Sequence, residues 1–214
     1  MHPYDADARF LSLYMEHVDA PNLASYRQKG GMGRLGIEDA QQILADISAA
    51  ISHVHGQGML HNDIKPANIL YRRARRAVLI DFGLSTELTA RTVHAGGTRW
   101  YIPPEYTGEG TRGPPGDVYA LGVVMLFVLG RVPLPDVQDD PSEAIAEVWR
   151  GDGERARRAT DGWYSIVKGA SAGLKTLEHA QLGELVSEMV QKLPDRISVE
   201  ELLWRQGLGQ AVQG

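Results

Sequence analysis

The stretch "HNDIKPANIL", residues 61–70, brings an imidazole, a carboxylate, an ammonium and a carboxamide within eight positions. Twelve residues further on, "IDFG" (80–83) adds a second carboxylate next to a glycine that leaves the loop free to turn. Phosphoryl transfer uses groups of these kinds. It asks for a carboxylate to orient the attacking hydroxyl, a cation on the moving phosphoryl, and oxygen ligands for magnesium. Asp63 can serve as the base, Lys65 as the cation, and Asn68 with Asp81 as the magnesium ligands, since magnesium takes one or two protein oxygens beside water and phosphate.

The rest of the chain must hold these groups. Its 214 residues suffice for one substantial core, and its formal net charge of −5 gives no reason to expect nucleic acid or an anionic membrane as partner. There is no cysteine, hence no disulfide and no thiolate nucleophile. The N-terminus has no basic region followed by an apolar core, and the longest apolar run, "ALGVVMLFVLG" (120–130), is too short to span a bilayer. A cytoplasmic protein is expected, with a nuclear location as the alternative.

Along the chain, "RFLSLYMEHV" (9–18) suits a strand. Residues 37–55 place Ile43, Ile47, Ile51 and Val54 at helical spacing, with Glu38 and Asp39 at the start where the helix dipole favours anions. "NILY" (68–71) and "AVLI" (77–80) flank "RRARR" as a hairpin, and its basic tip is read as a solvated turn rather than an import signal or anion patch. Residues 84–116 form a polar, glycine-rich loop. Asp117 is expected to cap an apolar helix closed by Gly130, and further helices are expected over 182–193 and 198–206. The four tryptophans are expected to pack locally, and the histidines share no zinc-ligand spacing.

These motifs resemble those of the eukaryotic-type protein kinases. His61-Asn62-Asp63-Ile64-Lys65-Pro66-Ala67-Asn68 is similar to the family's His-Arg-Asp-x-Lys-Pro-x-Asn, and Asp81-Phe82-Gly83 to its Asp-Phe-Gly. "GTRWYIPPE" (97–105), "DVYALG" (117–122) and "LPDRISVEELL" (193–203) follow in the family's order and spacing. The resemblance implies an α+β, mainly helical fold: a protein-kinase-like large (C-terminal) lobe with a short hinge strand and small β-hairpins. It is one domain over 1–214, with the hinge strand at about 9–18 and the large lobe at about 19–206.

The resemblance also implies roles. Met15 would be the gatekeeper, the backbones of Glu16 and Val18 would meet adenine, Leu70 would floor the base, and Thr98 would hydrogen-bond Asp63 and Lys65. Lys65 and Thr98 indicate the serine/threonine branch, with ATP and Mg2+ as cofactors. His61 would be a packed residue beneath Phe82, Asp117 would also support the catalytic-loop backbone, and Arg196 would pair with Glu105.

Three departures from the family stand out. No Gly-x-Gly-x-x-Gly loop, strand lysine or helix glutamate precedes the hinge, which implies a large lobe whose small lobe is largely missing. Asn62 stands where the family has an arginine that grips a loop phosphate, and His94 stands at the position often phosphorylated, so any activity is expected not to depend on that switch. Ala67 replaces an acidic residue common in kinases that select basic peptides.

The expected function is therefore a serine/threonine kinase homologue acting on protein hydroxyls. The alternative is a non-catalytic regulatory module. It would bind a protein partner, or a second copy of itself, through the surface that faces the missing lobe. A small-molecule phosphotransferase is disfavoured by "GTRWYIPPE".

Overall fold

The computed structural model describes residues 3–7, 12–33, 35–89, 97–107, 112–134, 153–176 and 180–209. Its first elements are two antiparallel strands, β1 (Pro3–Asp7) and β2 (Ser12–Met15). The sequence points to a single strand over 9–18; β2 ends at Met15, short of 18, and β1 is an additional strand, while residues 8–11 lie outside the described set. β2 stops at Met15 because Met15 faces Pro3, which has no N–H to carry the ladder further. β1 was hidden by proline and aspartates, residues that disfavour strands when read singly.

A 20-residue helix, α1 (Ile37–Gly56), follows. Ile43, Ile47, Ile51 and Val54 are buried on one face, as their spacing requires. The start is held by Asp39, whose carboxylate accepts the Gly36 N–H at 3.3 Å. Three two-residue strands come next: β3 (Met59–Leu60), β4 (Ile69–Leu70) and β5 (Val78–Leu79). β4 and β5 pair as the expected hairpin, and β3 pairs with β6 (Thr86–Glu87), a strand inside the segment expected to be loop. At the hairpin tip Arg72 reaches Asp19 at 3.0 and 3.1 Å and Arg73 reaches Asp39 at 3.2 Å.

The core is organised around α2 (Pro114–Val128), a helix buried on every side from Gly116 to Val128. It packs against α1, α3 (Gly153–Ala172) and α4 (Ala180–Met189), with α5 (Val199–Arg205) closing the far side on α1. Asp117 is not the N-cap of α2. Gly113 takes that position, with proline in the first turn where a missing N–H costs nothing, and Asp117 lies inside that turn.

α4 ends at Met189 rather than at 193. Pro194 disfavours helical backbone at Leu193, and the Gln191 carbonyl is diverted to Arg196 Nε at 2.8 Å. α5 runs as expected from its Ser198 cap, whose hydroxyl accepts the Glu201 N–H at 3.2 Å. Trp100 and Trp163 pack edge to face at 5.1 Å, but Trp204 is 69% exposed and does not pack locally; Trp149 lies outside the described residues. Among the described residues no helix is long and apolar enough to cross a membrane.

Candidate active site

Residues 61–65 have no regular secondary structure, so their backbone must be held by side chains from elsewhere. Asp117, from the first turn of α2, does this. Its Oδ2 accepts the His61 N–H at 3.0 Å and its Oδ1 accepts the Asn62 N–H at 2.9 Å. His55 Nε2, at the end of α1, lies 2.9 Å from the same Oδ2, and since a carboxylate only accepts, the histidine donates. His61 is fully buried, its Nε2 lies 3.1 Å from the Ile80 carbonyl, and its ring meets Phe82 edge-on at 4.9 Å.

Asp63 is the centre of the cluster. Lys65 Nζ lies 2.8 Å from Asp63 Oδ2 and donates to Thr98 Oγ1 at 2.9 Å. Thr98 Oγ1 in turn donates to Asp63 Oδ1 at 2.9 Å. Asn68, at the end of a 3-10 turn (Pro66–Asn68), donates its amide to the Asp63 carbonyl at 2.9 Å and to Asp63 Oδ2 at 3.0 Å. Three side chains, the farthest 35 positions along the chain, thus close on one carboxylate. Thr98 can come this close because Gly97 precedes it: with φ +103°, a side chain there would be strained and its Cβ would sit 3.0 Å from the Asn62 carbonyl oxygen.

The second carboxylate is placed by the hairpin. The Ile80 N–H donates to the Asn68 carbonyl at 3.0 Å, so Asp81 stands one residue beyond Asn68's own partner. Asp81 is exposed, in the left-handed region at φ 65°, and its Oδ1 accepts the Gly83 N–H at 3.2 Å. That conformation is one aspartate tolerates better than most residues.

The residues expected to form the hinge occupy a looser region. Met15 is 55% exposed at the end of β2, Glu16 is exposed, Val18 is half-buried, and residues 16–21 run without a sheet partner. This segment is tied to β4 by a bridge between Asn22 and Leu70 and by the Tyr71 N–H donating to the Pro21 carbonyl at 2.9 Å. Leu70, half-buried, therefore lies beside the hinge segment rather than in the Asp63 cluster.

The remaining motifs are structural supports. Arg196 grips Glu105 with two nitrogens, one at 3.0 Å, donates to the Pro115 carbonyl at 3.0 Å, and lies over the Tyr119 ring at 4.9 Å. Trp163 Nε1 donates to the Trp100 carbonyl at 2.7 Å and pins the segment after Thr98 to α3. Burial pushes the Tyr119 phenol up and that of Tyr106 to about 12. His94 lies outside the described residues.

Sequence reasoning missed two participants. His55 stood 62 positions from Asp117, and only the packing of α1 on α2 brings them together. The Asn62 side chain was noted only for the arginine it is not, yet it donates to the Leu84 carbonyl at 3.0 Å and to Thr86 Oγ1 at 2.9 Å.

With this geometry in place, the chain can be compared with known proteins. A family model of the protein kinase domain matches residues 4–206. The serine/threonine-protein kinase PrkC of Bacillus subtilis (strain 168) is 35% identical over 56% of this chain and 19% of its own length. The human cAMP-dependent protein kinase catalytic subunit PRKX is 34% identical over 68% of the chain and 40% of its own length. CBL-interacting protein kinase 25 of Oryza sativa subsp. japonica is 27% identical over 95% and 38%. The chain thus spans less than half the length of each of these relatives. The match over residues 4–206, together with a mainly helical lobe that carries small hairpins, shows that the chain belongs to the eukaryotic-type protein kinase superfamily.

Proposed function

We propose that the chain acts in ATP- and magnesium-dependent phosphoryl transfer to serine or threonine hydroxyls of proteins. One observation carries the reading: the Asp63 carboxylate is fixed by Lys65, Thr98 and Asn68 together, at 2.8–3.0 Å. A turn aspartate would need only nearby backbone.

The residues present fit the ligands. Asn68 spends its N–H groups on Asp63, so its amide oxygen, the atom a cation would take, is turned away from that carboxylate. Asp81 is exposed and engages Gly83 through one oxygen, leaving the other to a metal. Asn68 and Asp81 would hold Mg2+, a set of oxygens suited to that ion. Bound there, magnesium would neutralise charge on the phosphate oxygens.

Asp63 Oδ1 takes one bond from Thr98, and a carboxylate oxygen has a second lone-pair site for the substrate hydroxyl. In transfer, the hydroxyl oxygen bonds to the γ-phosphorus, the bond to the bridging β–γ oxygen breaks with its electron pair leaving on ADP, and Asp63 takes the proton. Lys65, one-quarter exposed and held by Thr98, places its ammonium beside the incoming phosphoryl. Met15, the backbones of Glu16 and Val18, and Leu70 would hold the adenine.

Melting of the chain with and without Mg·ATP tests the binding: the melting temperature should rise, and Asp81→Asn should abolish the rise. Transfer of labelled phosphate, lost in Asp63→Ala, tests the chemistry. A second reading has its own observation: Phe82 is 47% exposed, and Leu84 and Leu88 are exposed on the same segment. A non-catalytic module would use that apolar row to dock a protein partner or a second copy. Under this reading saturating Mg·ATP leaves the melting temperature unchanged.

A further inference from the structure

We infer that Asn62 is a positioning residue that clamps the loop bearing Asp81 to the loop bearing Asp63. The inference rests on the proposed phosphotransferase site and goes beyond it by assigning a residue that touches neither substrate nor metal. A carboxamide has two N–H donors, and Asn62 Nδ2 meets two acceptors on the segment that follows Asp81: the Leu84 carbonyl at 3.0 Å and Thr86 Oγ1 at 2.9 Å. Its own backbone N–H is held by Asp117 at 2.9 Å, and its carbonyl abuts Gly97.

Asn62 therefore stands where α2, the Asp63 loop, the Asp81 loop and the Thr98 loop converge. Its neighbour in sequence is Asp63, and its partners lie three and five residues beyond Asp81. Fixing both ends of so short a path restricts where the two carboxylates can move relative to each other. The backbone supports the choice of residue: φ is 66°, a conformation asparagine adopts more readily than β-branched or long side chains.

Two further contacts close the same seam. His61 Nε2 lies 3.1 Å from the Ile80 carbonyl, and Leu60 pairs with Thr86 in the β3–β6 ladder. The His61 ring thus ties the seam at Ile80 and the β3–β6 ladder ties it at Thr86, and Asn62 adds the side-chain links at Leu84 and Thr86, with Ser85 Oγ reaching the His61 carbonyl only at 3.5 Å. The clamp is neutral and wholly internal, so it needs no added phosphate to form.

Hydrogen exchange of the full chain without nucleotide, followed by melting with increasing magnesium at fixed ATP, tests the inference. Asn62→Asp keeps the shape and tolerates the backbone but removes both donors. It should accelerate exchange at amides 83–87 about tenfold, the loss of roughly one net hydrogen bond, while amides in α2 stay protected. The magnesium needed for half of the ATP-induced melting shift should rise several-fold. Thr86→Val should show part of both effects and Thr86→Ser neither, which keeps the test alive if Asn62→Asp fails to fold.

Unchanged exchange at 83–87 in both Asn62→Asp and Thr86→Val would overturn the clamp, as would acceleration spread equally over α2. Because exchange is read without ATP, the clamp stands even if the wild-type chain shows no Mg·ATP response; that result would count against the phosphotransferase reading alone.

Discussion

Two aspartates separate architecture from chemistry, and replacing each should show it. Asp117 is buried, 3% exposed, and its carboxylate receives the N–H groups of His61 and Asn62 and the Nε2 donor of His55. Asp117→Ala leaves both backbone donors without a partner, that of His61 buried and that of Asn62 partly so. A buried donor left without a partner costs about 1–3 kcal/mol, so the pair costs about 2–6 kcal/mol. Against the roughly 5–15 kcal/mol by which domains are stable, that is a large fraction of the whole. Asp117→Asn keeps the volume, but its NH2 group must face one of the donors, for a loss of about 1–3 kcal/mol.

Asp81→Asn should behave otherwise. Asp81 is exposed, asparagine tolerates its φ of 65°, and its bond to Gly83 is local, so stability should stay within about 0.5 kcal/mol of wild type. Urea unfolding followed by circular dichroism measures both, with equal m-values as the check that the same transition is compared. The reasoning is refuted if Asp117→Ala loses less than about 1 kcal/mol, or if Asp81→Asn loses as much as Asp117→Asn. The first result would mean that the bonds to Asp117 are not what holds residues 61 and 62, the second that Asp81 supports the fold beyond its local bond to Gly83.

Three further outcomes are expected. Gly116→Ala would put a Cβ 1.9 Å from the Tyr106 hydroxyl oxygen, so Tyr106 must move off its bonds to Gly113 at 3.1 and 3.3 Å; a loss of about 1–3 kcal/mol in urea unfolding is expected, with measurable coupling to Tyr106→Phe in a double-mutant cycle. Burial raises the Tyr106 phenol from 10.0 to about 12, so the folded state holds its proton more tightly than the unfolded chain: this contribution, about 3 kcal/mol at most, is complete below pH 10 and is lost as pH climbs through 12, and alkaline unfolding should be less steep in Tyr106→Phe. Ala74, at φ 59° in the hairpin tip, pays a steric cost that glycine avoids, so Ala74→Gly should raise stability by up to about 1 kcal/mol.

How far the site could be read from the sequence depended on distance along the chain. Asp63, Lys65 and Asn68 lie on one short irregular turn, and their grouping was visible in the residues themselves. The bonds from Thr98 to Asp63 and from Arg196 to Glu105 cross 35 and 91 positions, and only the family's motif order suggested them. The helices α1 and α5 were legible because an apolar face and a cap are local signals. β1 was not, because its stability lies in a partner strand, and neither was the end of β2, which is decided by the proline across the ladder. Asp117 illustrates the limit of capping rules: the rule put it at the N-cap of α2, but two prolines and Gly113 begin the helix earlier, which leaves its carboxylate inside the first turn and free to hold residues 61 and 62.

That displacement explains how an irregular loop can be positioned accurately. Residues 61–65 make no helix and no sheet, so nothing in their own backbone fixes them. α2, by contrast, is buried from Gly116 to Val128, and its first turn cannot shift without disturbing α1, α3 and α4. Asp117 carries that rigidity to His61 and Asn62. His61 passes it to Ile80, Asn62 to Leu84 and Thr86, and the Ile80–Asn68 pairing returns it to Asn68. The two carboxylates at 63 and 81 are thereby referenced to one buried helix through different bonds. A substitution that loosens the packing of α2 should therefore blur both together, whereas removing Asn62 or Thr86 should free the Asp81 loop while leaving Asp63 in the grip of Lys65, Thr98 and Asn68.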